Sequence, residues 1–339
     1  MKKFSYQGDL CVIRSQSNLF YLTGYDTADA IIALCGGKAY YFTDSRYFEE
    51  VSFLRSDFTI LNVDQFTEFL NKGKFLSASI EKSLPAYEYE ELKRSGVQTF
   101  FYVDDEINAL RAVKSEKEIE LMQKAQDVTD KAFLNILPLL YEGMTERELA
   151  GKLEGLLFEN GGDALAFTSI VAFGENTSKP HAHRTDKRLA KGMPVTMDFG
   201  AKYGGYCSDM TRTVFFGEPT EEVKNTYFLV KEAQERALRG VKDGMTGKSC
   251  DEIARGFFRE KGVDAYFIHS LGHSLGIDIH ESPNFSPKCN AIIRKGMTLS
   301  VEPGLYFDGK FGIRIEDVIY FGEKGVRNLT KSAKDMIII

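Results

Sequence analysis

Tryptophan is absent from this 339-residue chain, and cysteine, histidine and proline are scarce, at five, five and eight residues. The cysteines, at 11, 35, 207, 250 and 289, are odd in number, widely spaced and form no Cys-x-x-Cys pair. That speaks against a disulfide framework and fits free thiols in a reducing compartment. No apolar run approaches the length of a membrane span, which argues against a membrane role. Met1-Lys2-Lys3 leads into mixed polar sequence without an apolar signal core, so the cytoplasm is the expected location. The formal charge is −6 and no Lys/Arg block stands out, which leaves a nucleic-acid role little support. What is abundant is phenylalanine and tyrosine, 26 and 16 residues, enough aromatic volume to build cores without tryptophan. The length exceeds one typical core and predicts two domains. Such a chain buries enough surface to fold without a disulfide or a structural metal.

The amino-terminal part reads as a small α/β domain. Strands are expected at residues 10–14, 30–35, 38–43, 58–63, 75–80 and 99–103, with Gly36-Gly37 turning the second into the third. Short helices are expected at 66–72 and 86–94. The character changes near Leu110. Ser115 and Glu118 form an S-x-x-E capping box ahead of an amphipathic run through Ile119, Met122, Ala125, Val128, Phe133, Ile136 and Leu140. Thr145 and Glu148 form a second box, and Gly161-Gly162 closes the helix that follows. The domains are expected at 1–112 and 113–339.

The second part repeats itself. Gly143-Met144-Thr145 and Gly244-Met245-Thr246 each precede a helix, and the segment 191–200 (KGMPVTMDFG) parallels 295–304 (KGMTLSVEPG). Each half then reads as helices, strand, turn and strand, a duplicated αβ unit with pseudo-two-fold symmetry. The repeat equates Asp198 with Glu302, each read as an acid within an apolar strand. Each strand turns and returns with another acid, Asp209 and Glu316. A lone acid in a strand is usually an edge or turn residue, and a lone histidine between glycines is usually structural. Four acids on two facing hairpins are another matter, because four carboxylates cannot all ionise at close range without cations. His273, between Gly272 and Ser274-Leu275-Gly276, offers a fifth ligand where the symmetry breaks. One His and four carboxylates suit two divalent ions. Manganese is favoured by the oxygen-rich set, with cobalt, iron and zinc as alternatives.

These segments resemble the pita-bread metallopeptidases, the group of aminopeptidase P, prolidase and methionine aminopeptidase. The resemblance rests on 195–201, 208–213, Gly272-His273 through His280-Glu281, 301–304 and 314–317, with the five ligands Asp198, Asp209, His273, Glu302 and Glu316 in the family's order. It covers roughly 110–339. Segments 18–25 and 43–47 are similar to the creatinase/prolidase amino-terminal domain, which points to the proline-specific branch. The resemblance implies an α/β fold with a pita-bread catalytic domain and a homodimer. It implies active-site roles for His181, at the end of 174–181, and for His280, and an orienting role for Arg314. His183 and His269 match no catalytic position and read as structural or supporting.

The implied activity is hydrolysis of an Xaa-Pro bond at a peptide amino terminus. The metals would acidify the attacking water, Glu302 would shuttle its proton, and His181 and His280 would stabilise the tetrahedral state or the leaving nitrogen. Prolidases carry a basic residue after His-Glu-x-Pro that meets the substrate's free carboxylate; here the stretch reads His280-Glu281-Ser282-Pro283-Asn284. The uncharged Asn284 favours Xaa-Pro-Xaa peptides over dipeptides, with Arg314 or Arg294 left to compensate. Three rivals stand beside this reading: Xaa-Pro dipeptidase, a metal-free pseudoenzyme or binding module, and a creatinase-like C–N hydrolase. The intact ligand set weighs against the last two.

Overall fold

The computed structural model describes residues 4–25, 27 and 29–339. The chain divides into two compact units, Met1–Arg111 and Ala112–Ile339. The amino-terminal unit contains strands β1 (Leu10–Ile13), β2 (Ile31–Cys35), β3 (Lys38–Thr43), β4 (Thr59–Asn62), β5 (Ser77–Ile80) and β6 (Thr99–Tyr102). They form one mixed sheet in the order β4-β3-β2-β1-β5-β6. Gly36 and Gly37 both have positive φ, which a two-residue hairpin loop requires. Four helices accompany the sheet: α1 (Gln16–Thr23), α2 (Phe66–Gly73), α3 (Ala86–Arg94) and α4 (Asp104–Ala112). Alternate strand positions such as Leu10, Val12, Ile31 and Ala33 pack with Phe66, Leu70 and Leu92 from α2 and α3.

The second unit shows the duplication directly. Its first half opens with α5 (Glu116–Ile136) and α6 (Glu146–Glu159). Both expected capping boxes are closed by reciprocal hydrogen bonds, Ser115 with Glu118 and Thr145 with Glu148. After the short β7 (Ala164–Leu165) come β8 (Ile170–Phe173), β9 (Met193–Phe199), the hairpin β10 (Ala201–Tyr203) and β11 (Tyr206–Cys207), and β12 (Met210–Phe216). The second half repeats the series as α7 (Glu221–Gly240), α8 (Gly247–Glu260), β13 (Gly272–Ser274), β14 (Glu281–Phe285), β15 (Thr298–Val301), the hairpin β16 (Gly304–Phe307) and β17 (Phe311–Arg314), β18 (Asp317–Gly322) and β19 (Gly325–Asn328).

Both halves use one antiparallel plan. β9 lies between β8 and β12, and β15 lies between β13 and β18. The buried faces of α5 and α6 pack on β8, β9 and β12 through residues such as Phe133, Leu153, Val171, Val195 and Val214. Those of α7 and α8 pack on β15 and β18 through Val230, Phe258, Leu299 and Ile319. The mixed α/β class with a duplicated carboxy-terminal region is therefore the observed architecture. One placement differs from expectation. Glu302 lies one residue beyond β15 rather than within a strand, because Pro303 has no N–H with which to extend the ladder. Its own N–H still donates to the Leu271 carbonyl. No helix among the described residues is long and apolar enough to cross a membrane.

Candidate functional site

The repeated ladders deliver the acids. Asp198 is the penultimate residue of β9 and pairs with Ile170 on one side and Thr211 on the other. Asp209 immediately precedes β12, and Glu316 lies between β17 and β18. The peptide N–H of Glu316 donates to the Thr211 carbonyl, which joins the two halves at the acids. Two glycines allow the strands to close in. A Cβ on Gly200 would lie 2.0 Å from the Ser208 carbonyl oxygen, and one on Gly272 would lie 2.0 Å from that of Ser300.

Asp198, Asp209, His273, Glu302 and Glu316 all line one cavity of about 310 Å³, together with His181, His280 and Arg314. Asp209, His273 and Glu316 each offer a ligand atom within 4.8 Å of the other two. His273 Nε2 lies 3.4 Å from Glu302 Oε1 and 3.5 Å from Asp209 Oδ2. Its Nδ1 lies 3.2 Å from the Ser274 carbonyl. A carbonyl can only accept, so the proton sits on Nδ1 and the Nε2 lone pair faces the acids. The Ser300 hydroxyl accepts from the His273 N–H and donates to Glu302, tying the segments of His273 and Glu302 together.

The electrostatics ask for a cation. Burial, followed by repulsion from neighbouring acids, pushes the carboxyls of Asp209 and Glu316 well above the ordinary range. Burial raises Glu302 to about 7, with Asp198 adding and Arg314 opposing. Burial holds His273 below its ordinary value, so the ring is neutral and available as a ligand. Glu316 Oε2 accepts from the Thr211 hydroxyl at 2.7 Å, whereas its buried Oε1 has no hydrogen-bond partner. A fully buried carboxylate oxygen without a partner, on an acid clustered with Asp209 and the neutral His273, fits a divalent metal. These side chains can hold such ions.

Arg314 is the counter-charge inside the protein. Its Nη2 meets Asp198 Oδ2 at 2.6 Å, its Nε donates to Thr211 Oγ1, and its Nη1 donates to Tyr306 Oη and to the Pro180 carbonyl. Burial works against its charge, but Tyr306, Asp198, Glu302 and Glu316 outweigh that and hold the guanidinium protonated. Tyr306 Oη lies 2.9 Å from His269 Nε2, while His269 Nδ1 faces the Ser270 carbonyl. His269 Nε2 is therefore the acceptor and Tyr306 the donor, giving an ordered chain from His269 through Tyr306 and Arg314 to Asp198.

His181 and His280 are exposed at the cavity edge on loops, and the His280 ring centroid is 4.4 Å from that of His273. His183 is exposed and does not line the cavity, whereas His269 does. Asn284 lines it as well. Arg294 is exposed and is not among the lining residues, so it is not placed to compensate for the missing charge. Thr211, Ser300 and Tyr306 were not anticipated. Neutral hydroxyls within buried strands are common, and the only available signal was their position beside the acids.

A model of metallopeptidase family M24 matches residues 120–323, and one of the creatinase/prolidase N-terminal domain matches residues 6–113. An Xaa-Pro dipeptidase of Pyrococcus horikoshii is 38% identical over 97% of this chain and 94% of its own. Among solved structures, an Xaa-Pro dipeptidase from Bacillus anthracis superposes with a TM-score of 0.94 at 32% identity, covering 98% of this chain and 95% of the other. An X-Pro aminopeptidase from Thermotoga maritima superposes with a TM-score of 0.90 at 34% identity, covering 98% of both. The likeness covers both units, and the duplicated carboxy-terminal region is the pita-bread fold. The chain belongs to metallopeptidase family M24, with a creatinase/prolidase-type amino-terminal domain and the divalent-metal chemistry of that family.

Proposed function

We propose that this metallopeptidase hydrolyses the bond between the first residue of a peptide and a proline in second position. The observation that carries the proposal is the joint one: five ligand-type side chains and two loop histidines around one cavity, in a chain 38% identical to an Xaa-Pro dipeptidase. Asp198, Asp209, His273, Glu302 and Glu316 would hold two ions, manganese in preference to cobalt, iron or zinc, given four oxygen-donor residues to one nitrogen donor. Ions bound there would supply a Lewis acid for the scissile carbonyl and a lowered pKa for the attacking water. Glu302, ligand and carboxylate at once, would take a proton from the attacking water and release it to the departing proline nitrogen. That nitrogen carries no hydrogen in the substrate amide and must gain one to leave. His181 and His280 face the same space and donate to the developing oxyanion or to that nitrogen. Arg314 fixes Asp198 and, through the Pro180 carbonyl, the residue next to His181.

Dipeptides are the preferred substrate class, because the P. horikoshii and B. anthracis relatives bear the dipeptidase name. A second reading, tripeptides and longer, is favoured by Asn284, which lines the cavity without a charge for a free carboxylate. The deciding measurement is kcat/KM on matched Xaa-Pro and Xaa-Pro-Xaa substrates with the same metal. A dipeptide preference above about tenfold, ~1.4 kcal/mol, supports the first reading, and the reverse preference overturns it. Asn284→Arg is expected to move the ratio toward dipeptides, since a guanidinium binds a carboxylate bidentately. The cytoplasm and a homodimer complete the proposal. Five unpaired cysteines support the former, and family resemblance the latter.

A further inference from the structure

We infer that Glu146, which does not line the cavity, is the positioning residue for His181. Glu146 is the first residue of α6 and is wholly buried. Its Oε1 accepts from the Phe173 N–H at 2.8 Å and from Asn176 Nδ2 at 3.0 Å. Its Oε2 accepts from Asn176 Nδ2 at 3.1 Å, the Thr185 N–H at 2.7 Å and the Thr185 hydroxyl at 2.6 Å. Phe173 ends β8, and Thr185 lies beyond the loop that carries His181. One carboxylate thus clamps both ends of the 173–185 loop, and it grips the middle through Asn176. Asn176 Nδ2 also reaches the His183 carbonyl, and its Oδ1 accepts from Lys179 Nζ. On the other flank, Arg314 holds the Pro180 carbonyl and the Gly312 N–H donates to Thr177. His181, exposed on this loop, inherits its position from the clamp.

The chemistry requires an acid at 146. Every one of these partners donates, which a carboxylate accepts with both oxygens and an amide cannot. In Glu146→Gln the amide NH₂ faces the N–H of Phe173 or that of Thr185, whichever way it turns. The Thr185 hydroxyl can rotate to accept, but the peptide N–H groups cannot, so one buried donor is left unpaired. The start of α6 also favours a negative charge through the helix dipole.

The inference rests on the catalytic role proposed for His181, and its test separates the two. Manganese-loaded wild type, His181→Ala, Glu146→Gln and the double variant are compared for kcat, KM and metal content on an Xaa-Pro dipeptide. Glu146→Gln is expected to keep its metal, hold KM within about threefold and lose about tenfold in kcat, the lower end for a misplaced proton-transfer group. In the His181→Ala background the same change is expected to cost less than about twofold, because a group that acts through His181 has nothing left to act on. Hydrogen exchange in the metal-free protein is expected to quicken across 173–185. Wild-type kcat in Glu146→Gln, or a full tenfold loss repeated in the His181→Ala background, overturns the inference alone. Normal turnover by His181→Ala overturns the role of His181 itself, and the inference with it. Should Glu146→Gln fail to fold, Thr185→Val, at an exposed residue, removes one clamp bond. A loss of about threefold in kcat that vanishes without His181 supports the clamp, and wild-type kcat overturns it.

Discussion

The two halves of the carboxy-terminal region share a ladder and differ in charge. β8 faces β9 as β13 faces β15: Phe173 pairs with Val195, and Ser274 pairs with Leu299. In that register Ala172 of the first half stands where the second half has His273. Two residues before Ile170 stands Thr168, and two residues before Leu271 stands His269. At the end of the hairpin β10–β11 stands Cys207, and at the end of β16–β17 stands Arg314. The acids are supplied evenly, two by each half, while the nitrogen groups His269, His273 and Arg314 come from the second half alone. Duplication thus accounts for the symmetric carboxylate ring, and later divergence of one copy for its polarity. A symmetric ring can hold ions, but it has no preferred side for a substrate. The loop histidines restore some balance, since each half sends one to the cavity, His181 after β8 and His280 after β13.

If the acids are an equal contribution of both halves, removing one from either half should be equally fatal. Asp209→Asn and Glu316→Gln are each expected to lose metal and more than about 10²-fold in kcat, beyond the range for outer partners of a ligand. Elemental analysis beside turnover checks this, and full activity in a metal-free Asp209→Asn protein contradicts it. The polarity is tested next. Arg314→Lys keeps the charge but cannot contact Asp198, Thr211, Tyr306 and the Pro180 carbonyl together. A loss of about 10–100-fold in kcat with metal retained is expected; wild-type kinetics would show that charge alone suffices.

The third test reads stability rather than turnover and concerns His269. Burial, then Arg314, pushes its pKa from 6.5 down to about 3. A base with a lowered folded pKa stays neutral in the fold while the unfolded chain takes up a proton. Its contribution to stability is therefore complete above pH 6.5 and is lost as pH falls toward 3. His269→Gln, which has no such proton to take up, should flatten the wild-type decline by up to about 1.4 kcal/mol per pH unit between pH 6 and 4. Denaturant titrations at both pH values report the difference, and parallel slopes in the two proteins would contradict the assignment.

The duplication is also what made the acids legible. Asp198 and Glu302 stood out because two copies of one segment carried an acid at one place, and the caps of α5 and α6 because Ser115 and Thr145 have partners at fixed spacing. α1 and α4 carry no such signal. α1 lacks a side-chain cap bond, and its apolar residues run together from Leu19 to Leu22 rather than at helical intervals; α4 is nine residues long and starts with three acids. The brief strands β7, β10, β11 and β13 hold two or three residues each, below what alternation can show. Glu146 escaped notice for a different reason. Beside the capping-box residues Thr145 and Glu148, it reads as one more helix-start acid, and only the return of residues 173–185 to it reveals its work.

Gly200 and Gly272 set a limit on how such a protein can change. Each sits within two residues of a ligand-type side chain, and each meets a carbonyl oxygen at a separation no methyl group can occupy. Even the smallest exchange, to alanine, would have to spread the strands that carry the acids. In a saturation library selected for peptide cleavage, both positions should therefore return glycine alone, while half-buried neighbours such as Lys202 drift.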